Sequence, residues 1–253
     1  VKGYQVTEIS NPLYTVDDFE FRKEAAIAQG KDIGTYGMGL SDADFQNTSE
    51  NFTNGHFDVT DGSLEITPKT VTVTADNKTK VYGTADPELT ATVTGVVDGE
   101  SIELIDYTLS REAGEDVGDY TITPAGKAEQ GNYTVTYVPG TLTITPVTDE
   151  VVVTITENSG SEKYDGAEKT VTGYTVSIDN ELYTEKDFTF SGDATVKGTD
   201  AGSYNMELKA SDFTNSSKNF KNVEFVIVDG TLEISKREVT LTSATDEKVY
   251  DGN

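Results

Sequence analysis

Apolar residues recur at every second position through much of the chain. The segments TVTVT (70–74), YTVTY (133–137), GTLTIT (140–145), VVVTIT (151–156) and EVTLTS (238–243) alternate in this way, so each is predicted to be a strand with one buried face. Threonine fills most of the alternate positions, which suits a pleated, half-exposed surface. Pro-Gly, Asp-Gly and Gly-Asn pairs separate the strands as turns. One stretch, DFEFRKEAAIAQGKD (18–32), has helix-forming composition. Its counterpart DFTFSGDATVKGTD (187–200) carries glycine and threonine where helix formers are needed, so both are read as strand and loop. The chain is predicted to be all-β, built of tandem, sandwich-like Greek-key modules.

The pattern repeats. Asp-x-Gly-x-Tyr occurs at 32–36, 116–120 and 200–204, at a constant spacing of 84 residues. Each unit closes on Gly-Ser/Thr-Leu, in DGSLEIT (61–67), PGTLTIT (139–145) and DGTLEIS (229–235), and a Tyr-Gly or Tyr-Asp-Gly turn stands at Tyr82, Tyr164 and Tyr250. A tandem array follows: a first repeat at 1–67 lacking its opening strand, a second at 68–146, a complete third at 147–236, and at 237–253 the opening strand and turn of a further unit. The first and third repeats match closely, LYTVDDFEF against LYTEKDFTF and DFQNTSENFTN against DFTNSSKNFKN. Tyr36, Tyr120 and Tyr204 are predicted to form tyrosine corners, the hydroxyl bonding back to upstream backbone.

KYDGAEKTVTGY (163–174) and KVYDGN (248–253), with KVYGTADPELTATVTG (80–95) and GNYTVTYVPGTLTITP (131–146), resemble the MBG modules of YDG and YGX type found in tandem in large bacterial surface proteins and adhesins. The resemblance covers essentially the whole chain. It implies a repetitive extracellular stalk or adhesin region and supplies no catalytic residues.

Composition narrows the chemistry. The formal charge of −26 is spread evenly, −8 over 1–67, −7 over 68–146, −9 over 147–236 and −2 over the remainder, so it reads as solvated surface and argues against nucleic acid. No stretch is apolar enough for a membrane-spanning helix. Without cysteine there is no disulfide, zinc-thiolate site or thiol nucleophile. His56 is the only histidine, and no Gly-x-Ser-x-Gly elbow or phosphate loop accompanies it, so it is assigned to an exposed loop or strand edge. Tryptophan is absent, which leaves no obvious sugar platform. A carbohydrate-active enzyme ranks behind a ligand-binding adhesin module for host glycan or mucin, and both behind a structural protein.

No cofactor is expected. Calcium is the one candidate ion, at SDADFQN (41–47), DGESIELID (98–106) or GTDAG (198–202), although none reproduces a spaced Asp-x-Asp-x-Asp-Gly loop. Lys80, Lys163 and Lys248 recur at a strand end and are candidates for covalent cross-links, with solvated lysine as the plain alternative.

The two ends complement each other. Eleven and nine residues before the turn tyrosine stand Val71 and Val73, Val153 and Ile155, and Val239 and Leu241. The last of these pairs, with Tyr250, is the candidate donor-strand contact, each side chain worth very roughly 1.5–3 kcal/mol on burial. Head-to-tail self-association through this strand is the expected partner interaction, with a host surface glycan or protein as a further candidate. Residues 237–253 extend over at most about 60 Å, which disfavours closure onto the chain's own head across two repeats. A cut at an arbitrary point of a longer array is the alternative explanation of the ends.

Overall fold

The computed structural model describes residues 1–252. Among the described residues every strand has eight residues or fewer and the helical segments are single 3-10 turns of three, so the all-β expectation holds. The chain divides into two compact units. One comprises Val1–Lys78, Glu88–Ala113 and Tyr120–Leu142, the other Thr79–Pro87, Gly114–Asp119 and Thr143–Asn253. The division falls inside the middle sequence repeat.

In the first unit, Lys69–Ala75 is a central strand. It pairs in parallel with Tyr133–Val138, Val71 opposite Val135, and antiparallel with Ala91–Thr94, Val73 opposite Val93. Its inward residues Val71 and Val73 have no exposed surface and pack with Ile105, Tyr133 and Val135. The first repeat is thinner. Phe19–Phe21 pairs with Phe45–Asn47, Gly34–Gly37 with Ser63–Ile66, and Lys2 bridges Ile27. Its buried apolar residues are the small set Ala26, Ala28 and Met38.

In the second unit, Val151–Glu157 lies between Tyr174–Ile178, antiparallel, and Val223–Val228, parallel. Val151, Val153 and Ile155 point to the core and are completely buried, as expected for the apolar positions of a strand flanked on both sides. Thr231–Ser235 pairs with Gly160–Lys163 and Gly202–Asn205, and Phe188–Phe190 with Phe213–Asn215. The parallel pairing of a repeat's first strand with its penultimate one needs a long crossover, which the intervening sixty-odd residues supply.

A recurrent Asp-Phe dipeptide organises the edges. Asp18, Asp44, Asp187 and Asp212 each end a 3-10 turn and accept the backbone N–H of the residue before it, at 2.8–2.9 Å from Thr15, Ser41, Thr184 and Lys209. The turn is thereby fixed and the next residue, phenylalanine in all four cases, starts a strand with its ring inward.

Segment 238–243 departs from expectation. It forms no strand, and Val239, Leu241 and Tyr250 are 80%, 91% and 89% exposed. Alternation alone does not make a strand. A ladder needs a neighbour, and among the described residues this segment has none.

Candidate functional site

The third repeat shows what the first one leaves open. Its core strand contributes Ile155 opposite Val176 on one side and Ile227 on the other. The first repeat has the same flanks, Tyr4 and Val6 in place of Tyr174 and Val176, and Phe57 and Val59 in place of Phe225 and Ile227. Their aromatic contacts match in distance: Tyr4 lies 5.1 Å from both Phe21 and Phe45, and Tyr174 lies 5.2 and 5.3 Å from Phe190 and Phe213. Between these flanks the first repeat has no strand, and neither 4–8 nor 55–60 is itself a strand. Tyr4 and Val6 are each 43% exposed, whereas Tyr174 and Val176 are half-buried.

The strand that fills the slot ends on a buried carboxylate. Glu157 accepts the backbone N–H of Leu208 and of Gly230, each at 2.7 Å. In the first repeat Asp61 takes over, accepting Leu40 N–H at 2.8 Å and Gly39 N–H at 3.0 Å. The Leu40 bond is the main reason its carboxyl sits below the usual aspartate range. The sequence comparison did not single out Glu157, because valine and alternating threonine around it hide one inward acid. Its signal is a charged residue at a position where an apolar side chain is due.

The predicted corner tyrosines Tyr36 and Tyr204 bond to backbone four residues upstream. Tyr36 donates to the Asp32 carbonyl at 2.8 Å and Tyr204 to the Asp200 carbonyl at 3.0 Å. Tyr120 lies under the Arg111 guanidinium at 5.7 Å. The motif has a second use. At the junction of the first and second repeats, Asn132 accepts Ile33 N–H through Oδ1 at 2.9 Å and donates through Nδ2 to the Asp32 carboxylate at 3.0 Å. At the next junction Asn219 does the same, accepting Val117 N–H at 2.8 Å and donating to the Asp116 carboxylate at 2.9 Å. In both, the asparagine carbonyl accepts the N–H of a linker residue, from Lys69 at 3.0 Å and Val147 at 2.9 Å. Each junction lies within one compact unit. This latch was legible only as unremarked Asn-aromatic dipeptides, Asn132-Tyr133 and Asn219-Phe220.

Lys80 differs from the solvated lysine considered above. Its side chain is buried, pairs with Asp86 at 2.7 Å and Glu115 at 2.5 Å, and those two carboxylates hold its ammonium above the ordinary lysine range. A protonated amine is a poor nucleophile, so the geometry is that of an ion pair. Lys163 is exposed, and Lys248 pairs with Asp251 at 3.0 Å on the surface. His56 is exposed. Among the described residues no group of three or more His, Cys, Asp or Glu side chains is placed to hold a metal ion. In the acidic stretch 41–47, Asp44 is engaged by the Ser41 backbone.

The fold and its junctions define a tandem β-repeat protein whose modules are joined by short linkers and a repeated asparagine latch. The chain belongs to the MBG family: residues 71–143 match the MBG domain of YGX type and residues 151–236 match the MBG domain. No curated protein matches the chain. MBG domains are non-catalytic repeat modules typical of surface proteins, and a tandem pair indicates an adhesin-type repeat region. No helix among the described residues is long and apolar enough to cross a membrane.

Proposed function

We propose that this chain is a non-enzymatic structural segment of an extracellular bacterial adhesin, and that copies join head to tail by strand complementation. Residues 237–252 of one copy enter the slot between 4–8 and 55–60 of the next. The supporting observation is the matched pair of environments. Val153 and Ile155 fill this slot in the third repeat with no exposed surface, while Val239 and Leu241, at the same offsets from the turn tyrosine, are 80% and 91% exposed. Strand addition supplies main-chain hydrogen bonds to both flanks and buries the aliphatic face. The contact joins unlike surfaces, so it propagates instead of closing.

Sedimentation velocity across a concentration series, with and without residues 237–253, tests this. Oligomers that grow with concentration in the full chain and vanish on truncation are expected. Monomers in both samples would reject strand exchange between copies.

A further inference from the structure

The two latches use the same three bonds but different asparagines. Counted back from the closing leucine (Leu64, Leu142, Leu232), Asn132 is ten residues upstream and Asn219 thirteen. The incoming linkers differ in step. From the last isoleucine of the closing strand to the first aliphatic of the core-strand pair there are five residues at the first junction, Ile66 to Val71, and nine at the second, Ile144 to Val153. The latch always takes the N–H three residues past that isoleucine, Lys69 or Val147. A longer linker therefore runs further alongside the facing segment before the core strand begins, and meets an asparagine further upstream. The isolated parallel bridge of Val147 with Phe220 is this extra run.

A third half-latch remains. Asp200 and Ala201 stand where Asp32-Ile33 and Asp116-Val117 stand, both are exposed, and among the described residues the Asp200 carboxylate and Ala201 N–H have no hydrogen-bond partner. Arg237 lies three residues past Ile234, in the place of Lys69 and Val147. On the other side, the first repeat holds both candidate acceptors exposed: Asn54, ten residues before Leu64, and Asn51, thirteen before it. From Ile234 to Val239 there are five residues, the short linker.

We propose that Asp200 and the Ala201 N–H are a docking site for the first repeat of a second copy, and that the short linker selects Asn54 over Asn51 as its partner. The Asn54 side-chain oxygen accepts Ala201 N–H, its amide donates to the Asp200 carboxylate, and its carbonyl accepts Arg237 N–H. This rests on the strand-complementation reading, since Val239 and Leu241 set the register. With the short linker, seating Val239 and Leu241 in the slot places Arg237 beside Asn54, and a bond to Asn51 would require the tail strand to shift out of register. The role of the latch is then to fix the register and hand of one repeat on the next, where the strand alone could slip by two residues.

A reciprocal swap tests it in the full chain by sedimentation equilibrium. Asn54→Asp removes the donor and sets a carboxylate against Asp200, so association should weaken at least tenfold. Adding Asp200→Asn restores the complement, because the carboxylate at 54 accepts both Ala201 N–H and the new amide, and association should return to within about threefold of the parent. Asn51→Asp should leave association unchanged. An associating parent with a silent Asn54→Asp, or one whose association is lost through Asn51→Asp instead, overturns the latch while the strand reading stands. A parent monomeric at every concentration overturns both. Recovery in the double variant excludes misfolding as the cause of the single variant's loss.

Discussion

Replacing Glu157 with alanine should be among the costliest polar substitutions in the chain. The carboxylate is 3% exposed and receives two backbone N–H groups at 2.7 Å, from Leu208 and Gly230, both themselves buried. Hydrogen bonds to a charged group are worth about 1.5–3 kcal/mol each, and removing the acceptor strands two buried donors. Against this, the substitution relieves the cost of keeping a carboxylate away from water. The net loss should be about 2–4 kcal/mol. Glu157→Gln separates charge from shape: its single carbonyl oxygen serves one N–H and its amide faces the other donor to donor, so a loss of about 1–3 kcal/mol remains. Urea unfolding followed by tyrosine fluorescence reads both, with Ile155→Ala identifying the transition that belongs to this sheet. A glutamine variant within about 0.5 kcal/mol of the parent would refute the clamp, since that is the range of substitutions away from special features.

Ile155→Ala, at a side chain with no exposed surface, should cost about 2–5 kcal/mol in the same assay. Tyr204→Phe removes the bond to the Asp200 carbonyl and should cost about 0.5–1.5 kcal/mol. Gly198→Ala places a methyl group 2.5 Å from the Tyr204 ring, and with the ring anchored by its hydroxyl the loss should be about 1–3 kcal/mol; the two changes should be non-additive. Tyr183 provides a pH signature. Burial, aided by the Asp187 charge, pushes its hydroxyl up to about 12. The folded state therefore favours the protonated phenol, and the stability this contributes is whole below tyrosine's ordinary value near 10 and is lost as pH climbs from 10 toward 12. Base titration of the parent against Tyr183→Phe should show a smaller alkaline loss in the variant, the remainder coming from Tyr14, Tyr133 and Tyr174, whose hydroxyls are also raised.

The strands, the two repeats that match the family, and the backbone bonds of Tyr36 and Tyr204 were legible because they depend on local chemistry: period-2 alternation, turn residues, and a glycine beside an aromatic ring. Val151, Val153 and Ile155 announce a buried face by themselves. Segment 238–243 carries the same alternation and forms no strand, because a ladder depends on a neighbour that the local sequence does not contain. Glu157 and the latch asparagines were missed for a related reason. An inward carboxylate is tolerable only because Leu208 and Gly230, dozens of residues away, aim their N–H groups at it. Asn132 and Asn219 acquire meaning only from Asp32 and Asp116, about a hundred residues earlier. Lys80 looked like its exposed counterparts Lys163 and Lys248, yet Asp86 and Glu115 close over it. Neutralising its pair is a tertiary event.

The central claim is that one repeat completes another by lending it a core strand. Amide hydrogen exchange of the full chain at low and high protein concentration tests it at the residues concerned. The account predicts that protection rises with concentration in 239–243 and, in parallel, in 4–8 and 55–60, while Val151–Glu157 stays protected throughout. Fast exchange of 239–243 at every concentration, or protection there without any change at 4–8 and 55–60, would contradict it.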